Sequence, residues 1–230
     1  MSSYWRNSIF IVFSGITLMA ALGDGCTPSS QRQATTTGDS TSVEDSLAML
    51  NVLVDKHPDN ATYYYQRAML YYQRGNLSFA LADIDSSLRR EPRNAHYYHT
   101  RGFFLYTERR YDDALKDYAQ AMNLGTRNPE TYHQAGNALA EQHQYAEALK
   151  WYDKAIKFAP DNPHYYFAKA YALRAMKRNE EALNVAEQAV AEDSTYINAL
   201  NLLFELYMDD KRDMVMAERY NRMILATDSL

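Results

Sequence analysis

Few residues in this chain are equipped to do chemistry, and three histidines come first. His96 and His99 stand three apart, and His133 follows His99 by 34 residues. If the first two share a helix face and the third sits on a neighbouring helix, three imidazoles point into one groove. Zinc needs three or four ligands at about 2.0–2.1 Å. Neighbouring helices pack about 8–10 Å apart, a gap that imidazoles bridge poorly. No cysteine or carboxylate pattern completes the set, so a polar groove lining is expected, with no metal and no cofactor. The acidic pairs Asp112-Asp113 and Asp209-Asp210 fall near helix turns and read as solvated surface. There is no glycine-rich phosphate loop, no HExxH helix and no G-x-S-x-G elbow. The single cysteine, Cys26, lies in an N-terminal stretch of export type and not in a cleft. No catalytic residue is expected, and the chain reads as non-enzymatic.

The elements that would position these side chains repeat every 34 residues. Aligned to itself from Ala61, the chain divides into blocks 61–94, 95–128, 129–162, 163–196 and 197–230. The eighth residue of the first four is Ala68, Gly102, Gly136 and Ala170, and the twentieth is Ala80, Ala114, Ala148 and Ala182. Small residues at fixed offsets let helix backbones approach closely. Large residues alternate with them: Tyr64, Tyr98, Tyr132 and Tyr166 at the fourth position, and Ile84, Tyr118, Tyr152 and Ala186 at the twenty-fourth. Pro58, Pro92 and Pro160 mark helix ends. Asp59-Asn60 and Asp161-Asn162 supply turn and cap chemistry before the next helix. Two helical segments per fixed period are the mark of a solenoid. Arg67 with Asp83, and Arg101 with Asp117, occupy positions seven and twenty-three, and both are absent from the third block. That pattern predicts an ion pair between the two helices of one repeat, worth roughly 0–1 kcal/mol if exposed.

The order of aromatic, small, aromatic, then alanine, aromatic, alanine and proline resembles the tetratricopeptide repeat family over residues 61–230. The resemblance implies an all-α, right-handed superhelix of about five helix pairs. First helices would line a concave groove that binds protein segments, and the fold would carry no catalysis of its own.

The first 60 residues differ in kind. Residues 1–25 read as a signal peptide, with Arg6 before an apolar stretch, Ile9–Leu22, that is short for a membrane span. Cys26 after Gly25 resembles a bacterial lipoprotein site, although Asp24 and the early Leu22 depart from that pattern. The resemblance implies lipidation at Cys26, a membrane anchor and a place in the cell envelope. Cleavage after Gly23, giving a soluble exported protein, and an uncleaved anchor are the alternatives. Residues 26–42 follow as a Ser/Thr-rich tether, too polar to offset ordering entropy. A helix is expected to begin near Val43, with Ser42 and Asp45 as a capping box. Residues 43–60 then act as an N-terminal capping helix, with Leu47, Leu50, Leu53 and Val54 as its apolar stripe.

Positions two, five, nine, twelve and thirteen of each first helix are expected to face the groove. They carry Tyr65, Met69 and Tyr72 in the first repeat, and His96, His99, Phe103 and Tyr106 in the second. The third contributes His133 and Asn137, beside Glu130 and Glu141; the fourth contributes His164, Phe167, Tyr171 and Arg174. Aromatic side chains dominate binding hot spots, yet the same residues also serve as packing, and both readings stand here. In the clamps by which some family members hold a terminal carboxylate, lysine is expected where His99 and His133 stand. An apolar or aromatic peptide, or a partner helix, is therefore the expected ligand. The formal charge of −5, with no Lys/Arg cluster, argues against nucleic acid. A homodimer through the degenerate fifth repeat, apolar at Leu200, Phe204, Met216, Tyr220, Met223, Ile224 and Leu225, is the alternative to a peptide-binding groove.

Overall fold

Asparagine opens four helices at intervals of one period. Asn60, Asn94, Asn128 and Asn162 each turn a side-chain oxygen onto the backbone N–H two residues on, at 3.0 or 3.1 Å. Each satisfies one of the donors that a helix start leaves unpaired. The computed structural model of the chain describes residues 38–227, and from Asp39 on they belong to one compact unit. The signal peptide, Cys26 and the tether up to residue 37 lie outside the described residues.

The described residues are helical with short turns and no strand. The first helices of the pairs are α2 (Ala61–Gln73), α4 (Ala95–Thr107), α6 (Pro129–Glu141), α8 (Pro163–Ala175) and α10 (Ile197–Leu206). The second helices are α3 (Leu77–Arg90), α5 (Tyr111–Asn123), α7 (Tyr145–Phe158), α9 (Asn179–Glu192) and α11 (Met214–Thr227). Each first helix packs on its own second helix, and each second helix packs on the next first helix. This is an all-α solenoid of consecutive helix pairs.

α1 (Gly38–Lys56) precedes the array and starts five residues before Val43. Ser42 and Asp45 therefore lie within the helix and not at its start. Asp39 to Ser42 include no glycine or proline to stop the helix before Gly38. Leu47, Leu50 and Val54 are buried. Arg67 of α2 donates to Asn51 of α1, 16 residues back. Arg101 makes the same step to Asp85, and Lys169 to Asp153. By that contact α1 stands to α2 as a second helix stands to the next repeat.

The expected intra-repeat ion pairs are present and are stronger than surface pairs. Arg67 Nε and Nη2 donate to both oxygens of Asp83, and Arg101 does the same to Asp117, all at 2.7 Å. Both aspartates are buried, so the estimate for exposed pairs does not apply; the fork geometry and low exposure make these charge-assisted bonds. The hydrogen bonds to Asp117, against the opposing effect of burial, hold Arg101 more firmly protonated than a free guanidinium. Arg101 thereby ties α3, α4 and α5 together.

Within each of the first four repeats the two helices are joined by the same turn. Gly75, Arg109, His143 and Lys177 all adopt positive φ, 60–74°. The N–H of each and of its successor return to carbonyls of the preceding turn, as in Gly75 to Tyr72 and Asn76 to Tyr71. This closure demands the left-handed conformation at that point, where only glycine is unstrained. Lys177→Gly is expected to raise stability by about 0.5–1 kcal/mol, the relief of strain less the added unfolded-state entropy. A thermal melt checks this, and a lowered midpoint would contradict it.

The fifth repeat departs by one residue. α10 runs into a π-helical segment, Tyr207–Lys211, and the positive φ moves to Arg212, position sixteen instead of fifteen. α11 accordingly starts one position late. Met214 and Val215 at its start are well exposed.

Candidate functional site: the face of the first helices

α4 touches α6, α6 touches α8 and α8 touches α10. A first helix thus presents part of its surface to the next first helix and the remainder to solvent. The contact follows a rule: position five of one repeat meets position three of the next. The Tyr65 ring stacks on Tyr97 (5.4 Å, 28°), His99 Nδ1 bonds Thr131 Oγ1 (3.0 Å), and the His133 ring lies 5.0 Å from Tyr165. Position twelve likewise meets position ten in the first interface, where Tyr72 stacks on Phe104 (5.0 Å, 19°).

These contacts divide the expected groove residues. Tyr65, Met69, Tyr72 and Phe103 are half-buried and pack on the core cluster that holds Tyr97 and Phe104. Tyr106 packs beside Leu105 and Tyr118, and Phe167 beside Leu200 and Leu203. Asn137 does not line the groove: it is 5% exposed, and its amide oxygen accepts from Tyr152 Oη at 2.9 Å. The buried Tyr152 phenol supplies the partner this amide needs, whereas Tyr171 at the equivalent position of the next repeat is exposed. His99 is half-buried, among Thr131, His96, Glu130 and the Tyr118 ring. His96, His164 and Tyr171 are the exposed members, Tyr171 at 42%. Arg174 is half-buried and ion-paired with Glu205 of α10.

A polar track runs along the amino-terminal ends of the first helices. Tyr65 Oη lies 2.8 Å from His96 Nε2. Glu130 accepts from Gln134 Nε2 (2.7 Å) and Tyr165 Oη (3.3 Å), and lies 3.3 Å from His133 Nδ1. His164 Nδ1 meets Tyr196 Oη at 2.9 Å. Burial pushes the His96 and His164 imidazoles below their ordinary value and His99 down to about 4. At neutral pH these three are therefore uncharged. Among the described residues no group of three or more His, Cys, Asp or Glu side chains is arranged to hold a metal ion. The track can exchange hydrogen bonds with a ligand's backbone.

Sequence reasoning missed position three, where Tyr97, Thr131 and Tyr165 serve as the seats for position five of the repeat before. Its signal was present, since Tyr63 and Tyr97 share that position one period apart.

The family model described as Tetratricopeptide repeat matches residues 29–194. No curated protein matches the chain. Among solved structures, PilW, described as a widely conserved type IV pilus biogenesis factor, is similar with a TM-score of 0.73 at 16% identity, over 81% of this chain and 86% of that one. Pseudomonas aeruginosa pilF gives 0.70 at 18%, over 80% and 84%. YrrB, described as a TPR protein with an unusual peptide-binding site, gives 0.64 at 18%, over 79% and 98%. At such identities the likeness is one of fold.

Proposed function

We propose, since this chain belongs to the tetratricopeptide repeat family, that it is a non-enzymatic adaptor whose first-helix face binds a peptide or helix of a partner protein. Proteins of this family act as interaction scaffolds, and YrrB, of like fold, is described as having a peptide-binding site. Supporting the reading most directly is the mixed character of that face. Exposed His96, His164 and Tyr171 lie beside the half-buried rings of Tyr65, Tyr196 and Phe167 respectively. Aromatic edges give contact area at small entropic cost, and neutral imidazoles pair with a peptide backbone.

The setting proposed is the bacterial cell envelope. The N-terminal apolar stretch and Cys26 would carry the chain out of the cytoplasm and anchor it by lipid, with residues 27–37 as tether. This part rests on sequence alone.

Cross-linking in intact cells followed by affinity capture tests the adaptor reading, comparing wild type with His96→Ala/Tyr171→Ala. Both residues are exposed, so the variant is expected to fold. A partner captured by wild type and depleted at least several-fold in the variant is the expected result. Equal capture would place the site elsewhere and sink the groove reading.

A further inference from the structure

Glu141 ends α6 at the carboxyl-terminal rim of the same face. Its carboxylate accepts a hydrogen bond from Tyr111 Oη (3.3 Å), and no ion pair with a cation is formed among the described residues. The neighbouring arginines are otherwise placed. Arg110 pairs with Glu108 and Asp113, and Arg174 pairs with Glu205. Arg109, at the turn before α5, is the cation whose charge reaches Tyr106 and Tyr111, but it does not pair with Glu141.

Tyrosines surround this carboxylate. The Tyr106 ring lies 5.5 Å from Tyr111. Burial first, and then the charges around them, Glu141 included, hold the Tyr106, Tyr111 and Tyr145 hydroxyls well protonated. Tyr145 also senses Tyr171, which opens the cluster toward solvent. Asp112 accepts from Gln142 at 2.7 Å on the same rim and adds a second negative charge. Glu141 stands at the carboxyl end of α6, and the end of a helix dipole favours positive charge. A carboxylate, aromatic faces and a helix carboxyl end all attract a cation.

We propose that Glu141, with Tyr106, Tyr111 and Tyr145, seats an arginine or lysine side chain of the bound partner segment. The proposal rests on the groove reading and deepens it by naming the ligand's chemistry. A protein side chain is the occupant that fits. The rim is open, so a free small cation would be held by one carboxylate and lost to water. A peptide brings further contacts along Phe103 and Phe167.

The test uses the full chain and three labelled, end-capped peptides: alternating leucine and arginine, the same with citrulline, and the same with glutamate. Binding is read by fluorescence anisotropy in wild type, Glu141→Gln and His96→Ala/Tyr171→Ala. The arginine peptide is expected to bind wild type about tenfold tighter than the citrulline peptide. Glu141→Gln should abolish that ratio by weakening the arginine peptide far more than the citrulline peptide, the signature of a direct pair. A ratio unchanged by Glu141→Gln, a preference for glutamate, or no arginine-peptide binding at about 1 mM would overturn the proposal. If only His96→Ala/Tyr171→Ala weakens binding, the groove reading stands and the cation seat falls. If neither variant weakens it, both fall.

Discussion

Gly136→Ala is expected to destabilise the protein by about 2–3 kcal/mol, near the top of the usual range for overpacking. A Cβ at Gly136 would stand 2.5 Å from Tyr152 Cε1 and 2.8 Å from its Cδ1. The ring cannot swing aside, because its hydroxyl is fixed to Asn137 and its surroundings are closed. Gly102→Ala is expected to cost less. There the Cβ would stand 2.8 Å from Tyr118 Cε1, and the Tyr118 hydroxyl finds no hydrogen-bond partner among the described residues. The cause is a coupling between positions eight and twenty-four. Glycine stands opposite tyrosine in repeats two and three, whereas Ala68 stands opposite Ile84 and Ala170 opposite Ala186. Gly102→Ala/Tyr118→Ile rebuilds in repeat two the pair that repeat one carries, and it should recover most of the loss. Urea denaturation of the two single variants and the double decides this. A double variant no more stable than the sum of its parts would refute the coupling.

That coupling was legible in the chain, since both positions belong to the 34-residue period and glycine at position eight coincides with tyrosine at position twenty-four. So were the ion pairs of Arg67 and Arg101, because matched presence and absence across blocks reports spatial pairing. The turns were not. Of the left-handed residues that join the helices of the first four repeats only Gly75 is a glycine, so Arg109, His143 and Lys177 carry no mark of it; the hydrogen-bond closure of the turn imposes the conformation. The one-residue slip at Tyr207–Lys211 was also overlooked: position twenty of the fifth block is Met216, and the small buried residue, Ala217, comes one place later. At the candidate site the period placed residues on the right helices but could not fix their burial. At position nine the short Asn137 is buried against Tyr152 whereas the longer Tyr171 reaches solvent, so side-chain size and partner decide what the period alone does not. The same uncertainty hid the way first helices share their faces, which makes Tyr65 and Tyr72 packing residues as well as groove residues.

His99 is expected to make the fold acid-sensitive. Burial lowers its imidazole from 6.5 to about 4, with the His96 charge acting in the same direction and Glu130 opposing. The folded value lies below the unfolded one, so between them the unfolded chain binds more protons. The stability owed to neutral His99 is complete above about pH 6.5 and is lost as pH falls toward 4. A shift of this size corresponds to on the order of 2–3 kcal/mol. His96 and His164, lowered by the same cause, add smaller losses of the same sign. Carboxylates titrate in the lower part of this range, so the measured quantity must be a difference between variants. His99→Gln keeps a polar group beside Thr131 and cannot take up the proton. Urea denaturation at pH 7, 6, 5 and 4 should show wild type losing about 2–3 kcal/mol more than His99→Gln. Parallel pH profiles would mean that His99 protonates without disturbing the packing between α4 and α6. The groove's neutral character would then not persist into mildly acidic conditions, and the preference for a basic ligand side chain would weaken there as the imidazoles gained charge.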